Sequence, residues 1–250
     1  MSLLEWLPAD LVDYRLAIAL GVAIAAGLVR GFAGFGSAMM LSPIYAILYG
    51  PAEMIVLIMV MELFISVPLV PGALKDVEWR FVGPMSVMAG LFMPLGTLIL
   101  VSVDQALLTR AIAGVVLIFV LVMWSGWRYH GPKRLPITLG LGAVSGTMMA
   151  TTSMGGPPVL IYMLSGPDSA AANRANIILY FFITELFLIA ALSSRDLIGL
   201  DGVIRGLLLS PVYMLAGHLG ARQFRQASEQ LYRRVALAIL TAVALFGLLR

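Results

Sequence analysis

An all-α integral membrane protein is the fold class this chain predicts, and three observations predict it. Of its 250 residues, 61% are hydrophobic and only 12% charged, with a mean hydropathy of +0.99. A soluble domain needs about a quarter of its residues charged to cover its surface, so here the bilayer must cover most of it. Apolar stretches approaching the roughly 20 residues that cross a bilayer recur along the whole length. Two glycine-rich breaks interrupt them, one at Gly31-Phe32-Ala33-Gly34-Phe35-Gly36-Ser37 and one over residues 146–158.

Taken in order, the apolar segments are 11–29, 39–49, 54–74, 81–101, 106–127, 137–150, 159–164, 177–192, 202–221 and 231–249. The second, sixth and seventh are short and flank the breaks. They predict two broken or re-entrant elements beside six full spans. No cleavable signal peptide is expected, because Glu5, Asp10 and Asp13 stand where such a peptide carries positive charge. The net charge of +3 and pI near 9.4 come from scattered loop residues. They suit anionic lipid headgroups and form no stripe of the nucleic-acid-binding kind.

The chain repeats itself. At an offset of 115, Gly27, Val29, Gly31, Met39 and Pro43 match Gly142, Val144, Gly146, Met154 and Pro158. At 123, Glu62-Leu63-Phe64 matches Glu185-Leu186-Phe187. At 124, Leu95-Gly96 matches Leu219-Gly220, and Leu107 and Arg110 match Leu231 and Arg234. The offset grows because the second half has a longer loop around Ser165 to Ser169. The reading is two homologous repeats of about four helical segments, at 1–130 and 131–250. If each break is re-entrant, each half crosses three times, and an odd number inverts the halves. Lys75, Arg80, Arg128, Lys133, Arg134, Arg174, Arg222, Arg225, Arg233 and Arg234 then gather on one side. The positive-inside rule makes that side cytoplasmic and puts both termini outside the cytoplasm.

A glycine-rich break inside lipid-ready sequence is costly, since its backbone groups lose helical partners where lipid supplies none. Such breaks survive where they line a cavity or bind something, and two at matching places point to a transport site. A helix starting after a break offers unsatisfied N–H groups and the positive end of its dipole. That is an anion site without a cationic side chain. The candidate substrate-binding residues are Arg30, Gly34, Gly36 and Ser37 in the first break. In the second they are Thr151, Thr152, Ser153, Gly155, Gly156 and Pro157. Close helix packing by small residues is the alternative. It explains Gly27 and Gly31 well, and the Thr-Thr-Ser run and Pro157-Pro158 poorly. Arg30 is the basic residue beside a break, and Ser145 is its counterpart. It either neutralises an anionic ligand or snorkels to an interface.

Glu62 and Glu185 fall near the centres of two spans. An intramembrane carboxylate is a functional hypothesis by default, so both are candidates to carry a coupling proton. The alternative is a hydrogen bond across the repeat interface. Asn173, Arg174 and Asn176 open the span after the second break and suit a vestibule, while helix capping fits Asn173 equally well. His218 lies near a span end. Zero cysteines exclude disulfides and thiolate chemistry, and His130 and His218 make no metal cluster. No HExxH, Gly-x-Ser-x-Gly or Walker A pattern is present. No catalytic residue, cofactor or metal is therefore expected.

Residues 27–43, with Arg30-Gly31-Phe32-Ala33-Gly34-Phe35-Gly36-Ser37 inside them, resemble the first signature of the TauE/SafE family of sulfite exporters and organosulfur-anion permeases. Residues 142–158, ending Met154-Gly155-Gly156-Pro157-Pro158, resemble its second. The resemblance spans nearly the whole chain and carries over Gly34, Gly36, Ser37, Pro43, Gly155, Gly156, Pro157 and Pro158. It implies a multi-pass secondary transporter of the bacterial inner membrane moving sulfite, sulfoacetate or other sulfonates. Its partners would be a small anion and the lipid bilayer, with no nucleic acid. Residues 146–153 are less glycine-rich than the family leads one to expect. An anion channel and a membrane assembly subunit that transports nothing alone are the rival readings.

Overall fold

The computed structural model describes residues 13–33, 36–126, 129, 131, 133–164, 169–223 and 241. Every regular element among them is a helix. Asp13 opens α1 (Tyr14–Ala33) by accepting the N–H groups of Arg15 and Leu16 at 2.8 and 3.1 Å, which satisfies two of the donors every helix start leaves over. Gly36, at φ 93°, turns the chain into α2 (Ser37–Tyr49). Pro51 then begins α3 (Pro51–Ser66). Pro68 and Pro71 lack the N–H groups that would continue it. The helix tightens to a 3₁₀ turn over Val67–Leu69 and resumes as α4 (Val70–Ala73). α5 (Trp79–Ser102) and α6 (Gln105–Ser125) follow, the second capped by Asp104. Next come α7 (Leu135–Thr152), α8 (Gly156–Met163), α9 (Ala170–Ser193) and α10 (Leu200–Gln223).

Among the described residues, six helices are long and apolar enough to cross a membrane: Tyr14–Gly31, Pro51–Ala73, Trp79–Ser102, Gln105–Val122, Ala171–Ser193 and Leu200–Arg222. Five of these coincide with full spans expected from the sequence. The remaining expected span, 231–249, lies outside the described residues apart from Thr241. The first helix joins the set because Gly31 does not end it. Large apolar side chains such as Leu91, Leu107, Ile118 and Leu215 point outward, as a hydrocarbon surround requires.

Three details differ from the sequence reading. Helix α7 runs to Thr152, beyond the expected 150, so Thr151 and Thr152 belong to its last turn and the second break narrows to Ser153-Met154-Gly155. Gly31 and Gly146 sit inside helices. A Cβ on Gly31 would stand 1.8 Å from the carbonyl oxygen of Gly217, and one on Gly146 would stand 2.0 Å from that of Ala89. These glycines are what lets α1 touch α10 and α7 touch α5 backbone to backbone. Lastly, Ser169 caps α9 by accepting the Ala172 N–H at 3.1 Å. The helix therefore begins three residues before Asn173, and Asn176 is free to bond elsewhere.

The two short helices fold back along their predecessors. The Tyr45 hydroxyl near the end of α2 donates to the Ala19 carbonyl near the start of α1, at 2.9 Å. Tyr162 near the end of α8 meets the Thr138 hydroxyl and the Arg134 carbonyl at the start of α7, at 2.8 and 3.3 Å. Lys133 donates to the Met163 carbonyl beside them. Helix α3 is the central post, packed on α2, α9 and α10, with Met54, Leu57 and Met61 fully buried. At its start Glu53 pairs with Arg205 near the start of α10. The first turns of α9 are tied to the start of α5, where Asn176 accepts from the Glu78 N–H at 2.7 Å and donates to the Glu78 carboxylate at 2.9 Å.

Candidate functional site

Both breaks open onto one internal cavity. Its polar wall is Arg30 from the end of α1, Ser37 from the start of α2, Glu62 from α3, Ser153 from the second break and Glu185 from α9. Met39, Met149, Met154 and Phe181 are among its apolar lining. Gly36, Gly156 and Pro157 also line it. The space is about 40 Å³, room for about three waters by the usual allowance for one.

Arg30 and Glu62 are an ion pair, Nη2 to Oε2 at 3.1 Å, with both side chains about nine-tenths buried. Either charge alone would be expensive at this depth, so each is the condition for the other. Two hydroxyls complete the carboxylate. Ser37 donates to Glu62 Oε1 at 2.6 Å and Tyr213 donates to the same oxygen at 2.7 Å. The guanidinium of Arg30 also lies 5.6 Å from the centre of the Phe181 ring, within reach of the ring's negative face.

Glu185 is treated differently. It is 3% exposed, and its Oε2 has no hydrogen-bond partner among the described residues. The Ser153 hydroxyl is in the same position, buried and without a partner there. Buried polar groups almost always find partners, and these two stand on the wall of the same space. Ser153 also holds a left-handed backbone, φ 59°, a conformation that costs a non-glycine residue of order 1 kcal/mol or more. That strain, too, collects at the cavity.

The sequence-predicted residues thus divide. Arg30, Gly36, Ser37, Ser153, Gly156, Pro157, Glu62 and Glu185 come together on the cavity wall. Gly34 lies outside the described residues. Thr151 spends its hydroxyl on the carbonyls of Gly96 and Thr147, at 3.1 and 2.7 Å, tying α7 to α5. Thr152 donates to the Met148 carbonyl and accepts the Met154 N–H, closing the end of its own helix. Gly155 is packed on Ser145, whose hydroxyl donates to the Gly155 carbonyl at 2.6 Å and accepts from Tyr180 at 2.6 Å. Asn176 bonds Glu78, and His218 is exposed on α10.

The two helix starts are unequal donors. Helix α2 begins at the cavity with no side-chain cap, and a helix start carries N–H groups without helical partners. Helix α8 begins with Gly156, Pro157 and Pro158, and prolines have no N–H to give. Among the described residues, no group of His, Cys, Asp and Glu is placed to hold a metal ion. The arrangement can bind a small oxyanion by the α2 N–H groups, the Ser153 hydroxyl and the field of Arg30, with an apolar wall for any carbon attached to it.

Sequence reasoning missed Tyr213 and Phe181, whose neighbours in sequence give no signal. It also missed the Arg30–Glu62 pair, although a signal was present: two opposite charges, each too costly alone, in adjoining apolar segments. A family model described as Sulfite exporter TauE/SafE matches residues 19–247. No curated protein and no solved structure matches the chain.

Proposed function

The chain belongs to the Sulfite exporter TauE/SafE family, and from that premise we propose that this multi-pass membrane protein is a secondary transporter of a small sulfur oxyanion or organosulfonate. The substrate occupies the cavity between the two breaks. The observation that carries this reading is the pair of buried, unpartnered polar groups, Ser153 and Glu185, on the wall of a space that also holds Arg30 and the open start of α2. The apolar wall of Met39, Met149, Met154 and Phe181 suits the short carbon chain of a sulfonate.

Inverted repeats, 1–130 and 131–250, are part of the proposal. Support comes from which ends are tied together. Helices α3 and α10 start side by side at Glu53 and Arg205, while α9 and α5 start side by side at Asn176 and Glu78. Helix α5 follows α3 after a short turn, so its start lies at the far end of α3. Helix α9 therefore runs opposite to its counterpart α3, and the fold-backs of α2 and α8 are re-entrant from opposite faces. Rocking of such halves about a fixed site gives alternating access. The face holding Lys75, Arg80, Lys133, Arg134 and Arg174 is the cytoplasmic one, in a bacterial inner membrane. The protein moves its substrate and does no chemistry on it.

The test is flux. Purified protein in liposomes is offered sulfite, sulfoacetate, taurine, thiosulfate, sulfate and small carboxylates. Saturable counterflow of a sulfur oxyanion or sulfonate is expected. Conductance that does not saturate and drives no counterflow would make the protein an anion channel. No flux of any anion would leave the family's transport role without support in this chain.

A further inference from the structure

We propose that Glu185 is the proton site of this transporter and that Glu62 is not, so that the anion occupies the cavity only together with a proton on Glu185. This inference rests on the transport reading above.

The charges around the cavity decide what it can hold. Among the described residues, three charged side chains line the cavity: Arg30, Glu62 and Glu185. Arg30 and Glu62 hold each other at 3.1 Å, and Glu62 has two hydroxyl donors besides. That pair is neutral as a unit, and its carboxylate is occupied. Glu185 then decides the sign of the site. Ionised, it gives the cavity a net negative charge and opposes an anion a few ångströms away in a medium that screens poorly. Protonated, it leaves the cavity neutral and offers an O–H where its unpartnered oxygen now stands.

The groups that face Glu185 leave no other candidate among the described residues. From α1 there is Arg30 and from α3 there is Glu62. Tyr213 of α10 is bonded to Glu62. On α9 itself, Tyr180 is bonded to Ser145. Helices α4 and α7 carry no titratable side chain. The only one on α5 is Arg80, in its first turn, and Tyr162 of α8 is engaged at the start of α7. The proton therefore has one carboxyl to ride on. It binds from one face of the membrane, crosses with the anion, and leaves to water on the other face when the anion leaves.

Two consequences follow for a monovalent anion. One proton crosses with each anion, and no net charge moves. Methanesulfonate is the probe, because sulfite itself titrates near neutral pH and would mask the effect. In proteoliposomes, wild-type flux should respond to an imposed pH gradient and ignore an imposed potential. Apparent affinity should fall by about tenfold per pH unit once the Glu185 carboxyl titrates, the slope of one linked proton. Glu185→Gln should bind with a flat pH profile and carry charge, so that its flux follows the potential. Tyr213→Phe takes a donor from Glu62 and leaves the charge count unchanged, so it should keep the proton drive with the same pH midpoint. Should Glu185→Gln fail to fold, a wild-type stoichiometry of one proton per anion, with an unmoved pH midpoint in Tyr213→Phe, still supports the assignment. Flux with no proton uptake in the wild type overturns it, as does a proton drive kept in Glu185→Gln or a pH midpoint moved by Tyr213→Phe. Absence of flux for every anion at every pH overturns the transport reading itself.

Discussion

Glu62 and Glu185 stand at matching places in the two halves, each followed by Leu-Phe, yet their surroundings differ at every partner. Glu62 is met by Arg30, Ser37 and Tyr213. At the repeat offsets these correspond to Ser145, Thr152 and Ala89. Ser145 bonds Tyr180 and Gly155, Thr152 bonds its own helix, and Ala89 has nothing to offer. Glu185 thus keeps the position and loses the shell. The difference teaches that a repeated residue is not a repeated role. One carboxylate is enclosed by an ion pair and two hydroxyls, and the other keeps an unpartnered oxygen at the cavity wall.

The sharpest way to break this comparison is at Arg30. Arg30→Gln leaves Glu62 as a buried charge without its cation, and removing one member of a buried pair costs about 3–5 kcal/mol. We expect a large fall in melting temperature in detergent and loss of transport. The double variant Arg30→Gln, Glu62→Gln should regain most of the stability and none of the transport. A single variant as stable as wild type would show that the ion pair holds nothing together.

A smaller contrast separates the two serines. Ser153→Ala removes a hydroxyl that no protein group uses among the described residues, so stability should hold while affinity weakens about tenfold, the loss of one donor to a charged ligand. Ser37→Ala removes a donor to Glu62 and should lower stability by about 1–3 kcal/mol with the smaller effect on affinity. Equilibrium binding and thermal unfolding of both variants decide it, and the reversed pattern would exchange their roles. Smallest is Tyr213→Phe, which takes the second hydroxyl from Glu62 and should cost about 1 kcal/mol. A larger loss from Tyr213 than from Arg30 would make the hydroxyls, rather than the cation, the main support of Glu62.

Much of this was legible in the sequence, because hydrocarbon imposes simple rules. Apolar length marked the spans, and the two breaks and the two Glu-Leu-Phe triplets marked residues that line one cavity. Helix ends were less legible. Gly31 and Gly146 read as breaks but are packing contacts, since a glycine tolerates a helix interior when a second backbone needs its space. Thr151 and Thr152 read as ligand donors, yet a threonine in a last turn can satisfy itself on a carbonyl one turn back. What no pattern could supply was contact between halves. Tyr213 reaches Glu62 across 151 residues of chain, and nothing local to either announces it.

The cross-wise packing of the hairpins bears on how the protein is made. The face of α7 that presents Gly142 and Gly146 meets α5, from which only α6 separates it in the chain. The face of α1 that presents Gly27 and Gly31 meets α10, which emerges about 190 residues later. At the usual pace of a ribosome that is a delay of roughly 10–40 s. Throughout it α1 is in the bilayer with its close-contact groove facing lipid. The second hairpin is therefore seated while the first still waits. A nascent chain arrested before α10 should hold a docked α7 and an undocked α1, and the chamber between them comes into being only when α10 closes over α1.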